Sequence, residues 1–282
     1  MSGTARRLVS SPSWTIEQRL GFIARRLAWE GQVNRADIVR RFGVSPNQAT
    51  NDLRVFAELR PGVMRYSASV RAYVADPDRP ARSPEETAAL LKELRLTAEG
   101  YRDAVVDALT QPPPLAIADA PGRPVDGAVL HGVLLAIRER RELVCLYQSF
   151  STPAPADRRL APHALVFDGF RWHARAQDCE SGLFKDFVLG RMSNIVLGEP
   201  AKATAGEDAD WNTRARLIIG PNPDLSPAQR DAIALDYGML DGRLTLTPRR
   251  AVVYYVKQRL GLNRRVRPDE ALDQHIVLLE EH

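Results

Sequence analysis

The sequence predicts an α+β chain of several domains, and three patterns carry that prediction. Between Ser13 and Ala75 three capped amphipathic helices precede a hairpin pattern. From Gly127 one helix precedes five short strand-like runs, and the last part alternates strand, helix, strand, helix, strand. Proline-rich breaks at 111–114 and 120–127 separate the helical from the strand-rich portion. A chain of 282 residues exceeds what most single cores support, so two or three domains are expected.

The first helix follows from TIEQRLGFIARRLAWEG, where Ile16, Leu20, Ile23 and Leu27 share one face, Thr15 and Gln18 are spaced as a capping box, and Gly31 ends the run. NRADIVRRFG starts a second helix at Asn34, buries Ile38, Val39 and Phe42, and stops at Gly43. SPNQATNDLRVFAEL starts a third: Ser45 caps it, Pro46 suits its first position, and Gln48 can reach back to complete a box. PGVMRYSASVRAYVA then alternates as a hairpin after a turn at Pro61-Gly62.

With Ala49, Leu53 and Phe56 as its buried stripe, the third helix turns Asn47, Thr50, Asn51, Arg54 and Glu58 outward. Asn and Arg pair bidentately with adenine and guanine edges, and a helix N-terminus presents N–H groups to phosphates. Residues 13–79 carry eleven arginines against seven acidic residues, an excess that suits a polyanion. Arg65, Tyr66 and Arg71 on the hairpin suit a wing against the sugar-phosphate backbone. Residues 13–80 therefore read as a winged helix-turn-helix, with Ser45, Asn47, Gln48, Thr50, Asn51, Arg54, Arg65 and Tyr66 as candidate contacts to double-stranded DNA. A plain three-helix bundle with a polar outer face is the competing reading.

Residues 81–124 read as a helical linker. Ser83-Pro84-Glu85-Glu86 opens a helix expected to run to Thr110, and the proline-rich break closes the segment. Residues 125–200 begin with a helix over 127–140 and continue with strand runs at 142–150, 158–167, 170–178, 183–189 and 194–198, a pattern expected to form a small β-barrel.

In the central run, FRWHARAQD, alternation places Phe170, Trp172, Ala174 and Ala176 on a core face and Arg171, His173, Arg175 and Gln177 on a polar one. Cations at this spacing are offset either by an anion or by neighbouring carboxylates, for which Asp168, Asp178 and Asp186 are available. Residues 211–282 form a compact α+β extension whose arginine run, 259–267, reads as a solvated face.

Composition narrows the function classes. The chain is 44% apolar and 26% charged, as globular proteins are, with a net charge of only +4. Two cysteines, Cys145 and Cys179, make neither a disulfide framework nor a zinc quartet. The N-terminus has no apolar signal core and no run is long enough to span a bilayer, so a cytoplasmic location without membrane association is expected. The five histidines form no zinc-binding pattern, and there is no nucleophile-elbow, P-loop or dinucleotide-binding glycine motif. A nuclease built on His173 and Arg175 would want a carboxylate cluster for a metal; that enzyme and a non-regulatory nucleic-acid scaffold are the rival functions. No cofactor or metal is expected.

GFRWHARAQD followed by FKDFVLGRMSNI resembles the signature of WYL-domain regulators, named for a Trp-Tyr-Leu tripeptide that here reads Trp172-His173-Ala174. The departure at two positions resembles the CapW and BrxR subgroup, repressors linked to phage-defence islands, in which a winged helix-turn-helix, a WYL domain and a C-terminal extension follow in order. The resemblance implies an Sm-like barrel and a homodimer that binds an inverted repeat. It also implies control by an anionic ligand, nucleic acid or nucleotide. It places the ligand pocket at Tyr147, Ser149, His163, Arg171, His173, Arg175 and Arg191, with Phe187 beside it.

Overall fold

The computed structural model describes residues 12–77, 83–101, 108–118, 121–150, 154–263 and 271–282. The chain divides into two compact units, Met1–Asp119 and Ala120–His282, so the boundary falls within the segment read as a linker.

In the first unit, α1 (Pro12–Trp29) is followed by the two-residue strand β1 (Gln32–Val33), α2 (Arg35–Phe42), α3 (Pro46–Leu59), β2 (Met64–Ser67), β3 (Ala72–Ala75) and α4 (Pro84–Ala98). The local signals for α2 act as read. Asn34 accepts from the Asp37 N–H while Asp37 accepts from the Asn34 N–H, and Gly43 ends the helix at φ 64°. Helix α1 instead starts at Pro12, placing Thr15 inside it rather than at its cap. The sheet order is β1-β3-β2, so the hairpin gains a third strand too short for sequence periodicity to show. Phe22, Ile23, Leu27, Val33, Ile38, Ala49, Leu53 and Phe56 form one core; Phe56→Ala would cost about 3–5 kcal/mol.

The helix expected over 83–110 stops at Ala98, with Gly100 at φ 83° just beyond; residues 102–107 of that expectation lie outside the described ones. Arg25 of α1 pairs with Glu93 of α4, and Leu90 and Leu94 pack with Trp29, Ala108 and Leu109.

The second unit opens with α5 (Gly127–Glu139), capped by Asp126. It continues with β4 (Arg141–Tyr147), β5 (Ala156–Phe167), β6 (Trp172–Asp178), β7 (Phe184–Val188) and β8 (Met192–Pro200). These five strands form one antiparallel sheet ordered β7-β6-β5-β4-β8. Closing it would require β7 to pair with β8, and no such pairing occurs among the described residues; the expected closed barrel is not found. Helix α5 covers one face, where Val129, Val133 and Ala136 pack on Leu143, Cys145, Leu160, Ala174, Ala176 and Phe187. Burial there pushes the Cys145 thiol up to about 11, so it behaves as a small core side chain.

A short helix, α6 (Ala209–Asn212), leads into β9 (Leu217–Pro221), α7 (Pro227–Asp236), β10 (Leu244–Leu246), α8 (Val253–Arg259) and β11 (Ile276–Glu281). The predicted alternation is thus present, as a three-stranded antiparallel sheet ordered β10-β9-β11. Val253 and Val256 of α8 pack on Ala215, Leu217, Leu246 and Leu278. Arg264, Arg265 and Arg267 of the predicted basic run lie outside the described residues. Among the described residues no helix is long and apolar enough to cross a membrane, and no group of three or more His, Cys, Asp or Glu could hold a metal ion.

Candidate nucleic-acid interface and sensor site

Helix α3 presents its polar side as the periodicity requires. Asn47, Thr50, Asn51, Arg54 and Glu58 are exposed opposite buried Ala49, Leu53 and Phe56. Arg54 donates to Asn51 Oδ1 at 2.9 Å and to Glu58 Oε1 at 2.6 Å, which aligns the three side chains along one exposed ridge. The Thr50 hydroxyl donates to the Pro46 carbonyl. Ser45 caps the helix by accepting from the Gln48 N–H at 3.1 Å. The predicted second half of its box is absent, because the Gln48 amide donates instead to Asp52 Oδ1 at 2.9 Å.

Asp52 is buried and also receives Arg19 of α1 bidentately, Nε at 2.6 Å and Nη2 at 3.2 Å. This pair, invisible to local sequence reading, fixes the roll of α3 against α1. On the hairpin, Arg65 and Tyr66 are exposed and the Tyr66 ring meets Tyr73 edge-on at 5.4 Å.

The polar row of β6 is not a surface. His173 and Arg175 are buried, whereas Trp172 is 46% exposed and Phe170 55%, so the expectation that these two aromatics lie in the core is corrected. The strand begins at Trp172 and the core face under α5 starts at Ala174; Trp172 lies beyond that cover, against Phe167 with ring centroids 4.9 Å apart.

Carboxylates neutralise the row. Arg175 is paired bidentately with Asp208, Nε at 2.7 Å and Nη2 at 2.9 Å, and reaches Asp186 at 3.4 Å. Asp208 also meets His163 Nε2 at 3.0 Å and accepts the Trp211 N–H as the cap of α6. A register shift in β5 between Pro162 and Ala164 sets His163 outside the regular ladder. Asp168 collects His173 Nε2, Arg171 Nε and the N–H groups of Phe170 and Arg171. Asp178, the third carboxylate foreseen for this role, instead binds Lys185 and Ser181.

These contacts shift the groups as their geometry requires. Burial alone would raise the Asp168 and Asp208 carboxyls. Hydrogen bonds from His173, Phe170 and Arg171 to Asp168, and from Arg175, Trp211 and His163 to Asp208, outweigh it and hold both below the usual range. Burial and then the Asp186 charge push the Tyr255 phenol up, and its hydroxyl donates to Asp186 at 2.9 Å. The Nδ1 atoms of both His163 and His173 are buried with no hydrogen-bond partner among the described residues.

The remaining predicted pocket residues form a second group. Tyr147 belongs to the core, its hydroxyl accepting from the Val188 N–H at 3.2 Å and its ring edge-on to Phe187. Ser149 lies just past β4, half-buried, and the Arg191 guanidinium rests over the Phe150 ring at 5.7 Å.

Comparison with known proteins decides the family. The model described as BrxR transcriptional regulator winged helix-turn-helix domain matches residues 15–94. The WYL domain model matches 128–197, and that of the BrxR transcriptional regulator C-terminal dimerization domain matches 214–282. The DNA-binding transcriptional repressor CapW of Stenotrophomonas maltophilia is 33% identical over 95% of this chain and 91% of its own. The chain belongs to the CapW/BrxR family of WYL-domain regulators.

Two further CapW repressors agree: that of Escherichia coli (strain KTE188), 35% identical over 88% of this chain and 84% of its own, and that of Pseudomonas aeruginosa, 34% over 89% and 84%. A solved chain, proteasome accessory factor B/C of Arthrobacter aurescens, aligns with 99% of this chain at 16% identity and TM-score 0.28; this CapW/BrxR chain spans about half of it.

Sequence reasoning missed Asp208, which lay in a stretch read as a polar connection. Its only local signal is the pair of successive caps at Thr204 and Asp208, which marks a turn but says nothing of Arg175.

Proposed function

We propose that the protein is a cytoplasmic homodimeric repressor that reads an inverted repeat in double-stranded DNA through α3, controls a phage-defence operon, and is itself controlled by an anionic nucleic acid or nucleotide at its WYL domain. The observation that carries this reading is the exposed ridge of Asn47, Thr50, Asn51 and Arg54 on a helix fixed by the buried Arg19–Asp52 pair, in a chain whose relatives are DNA-binding repressors. Ser45 and the α3 N-terminus suit phosphate contacts, and Arg65 and Tyr66 suit the wing. In this reading residues 13–80 read DNA, 81–124 link, 125–200 sense and 211–282 dimerise.

A ligand alters DNA affinity only by preferring one of two dimer arrangements. At Arg175 and His163 it must compete with Asp208, so ligand entry and release of the segment holding Asp208 are one event in this mechanism. Relief of repression by the ligand is the direction this proposal takes from the family resemblance.

Asn51→Ala and Arg54→Ala should each cost about 1–3 kcal/mol of base discrimination in a gel-shift competition, with circular dichroism unchanged. Retention of full specificity by both variants would refute the reading of α3. Titration of oligonucleotides and cyclic nucleotides into the DNA complex should release DNA; indifference to every one of them would refute ligand control.

A further inference from the structure

Beside the filled Arg175 row lies a cleft that is charged but not neutralised. The turn from Phe167 to Arg171 faces α8 across a cavity of about 210 Å³ whose basic lining is Arg123, Arg171 and Arg259, with Phe170, Tyr255 and Asp168 around them. Asp168 cannot balance three guanidiniums, because each of its oxygens already accepts two donors: Oδ1 the N–H groups of Phe170 and Arg171, Oδ2 Arg171 Nε and His173 Nε2. Arg123 and Arg259 make no ion pair among the described residues. Three guanidiniums converging on one cavity against a single carboxylate whose acceptors are already taken create a potential that an anion relieves.

The turn is shaped to admit one of these cations. Gly169 has φ +101°, and a Cβ there would meet Nη1, Cδ and Cζ of Arg259 at 3.1–3.3 Å. A side chain at this φ is strained, and its Cβ would press the Arg259 guanidinium back from the turn backbone at the mouth of the cavity. The cavity is too small for a drug-sized molecule and large enough for a phosphate with its sugar. A neighbouring cavity of about 280 Å³ shares Asp168, Tyr255 and Arg259 and continues along Leu165, Phe167, Val252 and Val256 to Trp211, whose ring is covered by the Arg249 guanidinium at 4.4 Å. Arg123, Arg171 and Arg259 at one end and the Phe167, Val256 and Tyr255 side chains beyond them match a phosphate monoester carrying a ring.

We propose that this cleft is a phosphate-monoester site, in which Arg123, Arg171 and Arg259 hold the phosphate and the chamber along Phe167 and Tyr255 takes an attached base. Its occupation depends on no part of the regulatory reading above; only its consequence for DNA binding does. Tyr255 transmits it, since the same side chain walls the cleft and donates to Asp186, the partner of Arg175.

Calorimetric titration of the full chain with inorganic phosphate, a nucleoside 5′-monophosphate and a 5′-phosphorylated dinucleotide tests this. The monophosphate should bind more tightly than phosphate alone, and Arg259→Ala and Arg123→Ala should each weaken it by roughly tenfold or more. Arg138→Ala, at the exposed end of α5 and lining neither cavity, should not. Gly169→Ala should weaken it too, because the added Cβ presses on the Arg259 guanidinium.

Absence of binding in the wild type, or wild-type affinity in both arginine variants, overturns the site. Tighter binding of the dinucleotide assigns the source as a strand end, and equal binding assigns it as a free nucleotide; both support the site. Binding here with DNA affinity unchanged leaves the site standing and removes this cleft from the control of DNA binding. DNA release that persists in Arg259→Ala and Arg123→Ala with undiminished binding overturns the site and leaves ligand control standing.

Discussion

Asp208 decides how the second unit is wired. Its carboxylate is 1% exposed and joins Arg175 and His163, so Asp208→Ala would strand two buried partners and cost about 3–5 kcal/mol in urea unfolding. Asp208→Asn should cost less, because the amide oxygen still accepts from Arg175. The carboxyls of Asp168, Asp178 and Asp208 are all held low. A lowered group adds stability that is complete above the unfolded carboxyl value, about 3.9, and is lost as pH falls through the folded one. The urea midpoint should therefore be insensitive to these groups from pH 7 to about 5 and drop below about 4, with a smaller drop in Asp208→Asn. An equally steep drop in that variant would remove Asp208 from the acid response. Part of this wiring was legible in the sequence, since alternation gave the row on β6 and Asp168 and Asp186 stood available to offset it; Asp208 was not, because it is 33 residues from Arg175 and nothing local joins them.

Elements were read best where their signals are local. The Asn34 cap of α2, the Gly43 stop and the Ser83 box of α4 all form as their spacing requires, since each involves residues at most a few positions apart. Gly43→Ala should cost about 1 kcal/mol by urea unfolding, because residue 43 sits at φ 64°. A neutral result would mean the α2–α3 turn relaxes freely. The same logic failed for Gln48, whose amide nitrogen donates one turn on to Asp52, itself held by Arg19, so the side chain does not turn back to the Ser45 N–H, and for Trp172, whose strand outruns the helix that covers it. The ridge on α3 was legible because burial of Ala49, Leu53 and Phe56 leaves it no other direction.

At the scale of the whole molecule, the order of parts was readable from pattern switches and proline breaks, while the closure of the sheet was not, because strand periodicity carries no information about which edges meet. Two recognition helices in a dimer fall in successive major grooves, roughly 34 Å or a multiple apart. Affinity should fall steeply with salt, and Arg65→Ala should lower the salt slope by about 1 while sparing sequence preference. The most direct test of the account is a footprint of the wild-type chain and the Asn51→Ala/Arg54→Ala double variant on the DNA upstream of its own operon. The account predicts one protected inverted repeat, lost in the folded double variant; diffuse coverage, or the same protected repeat with both side chains removed, would contradict it.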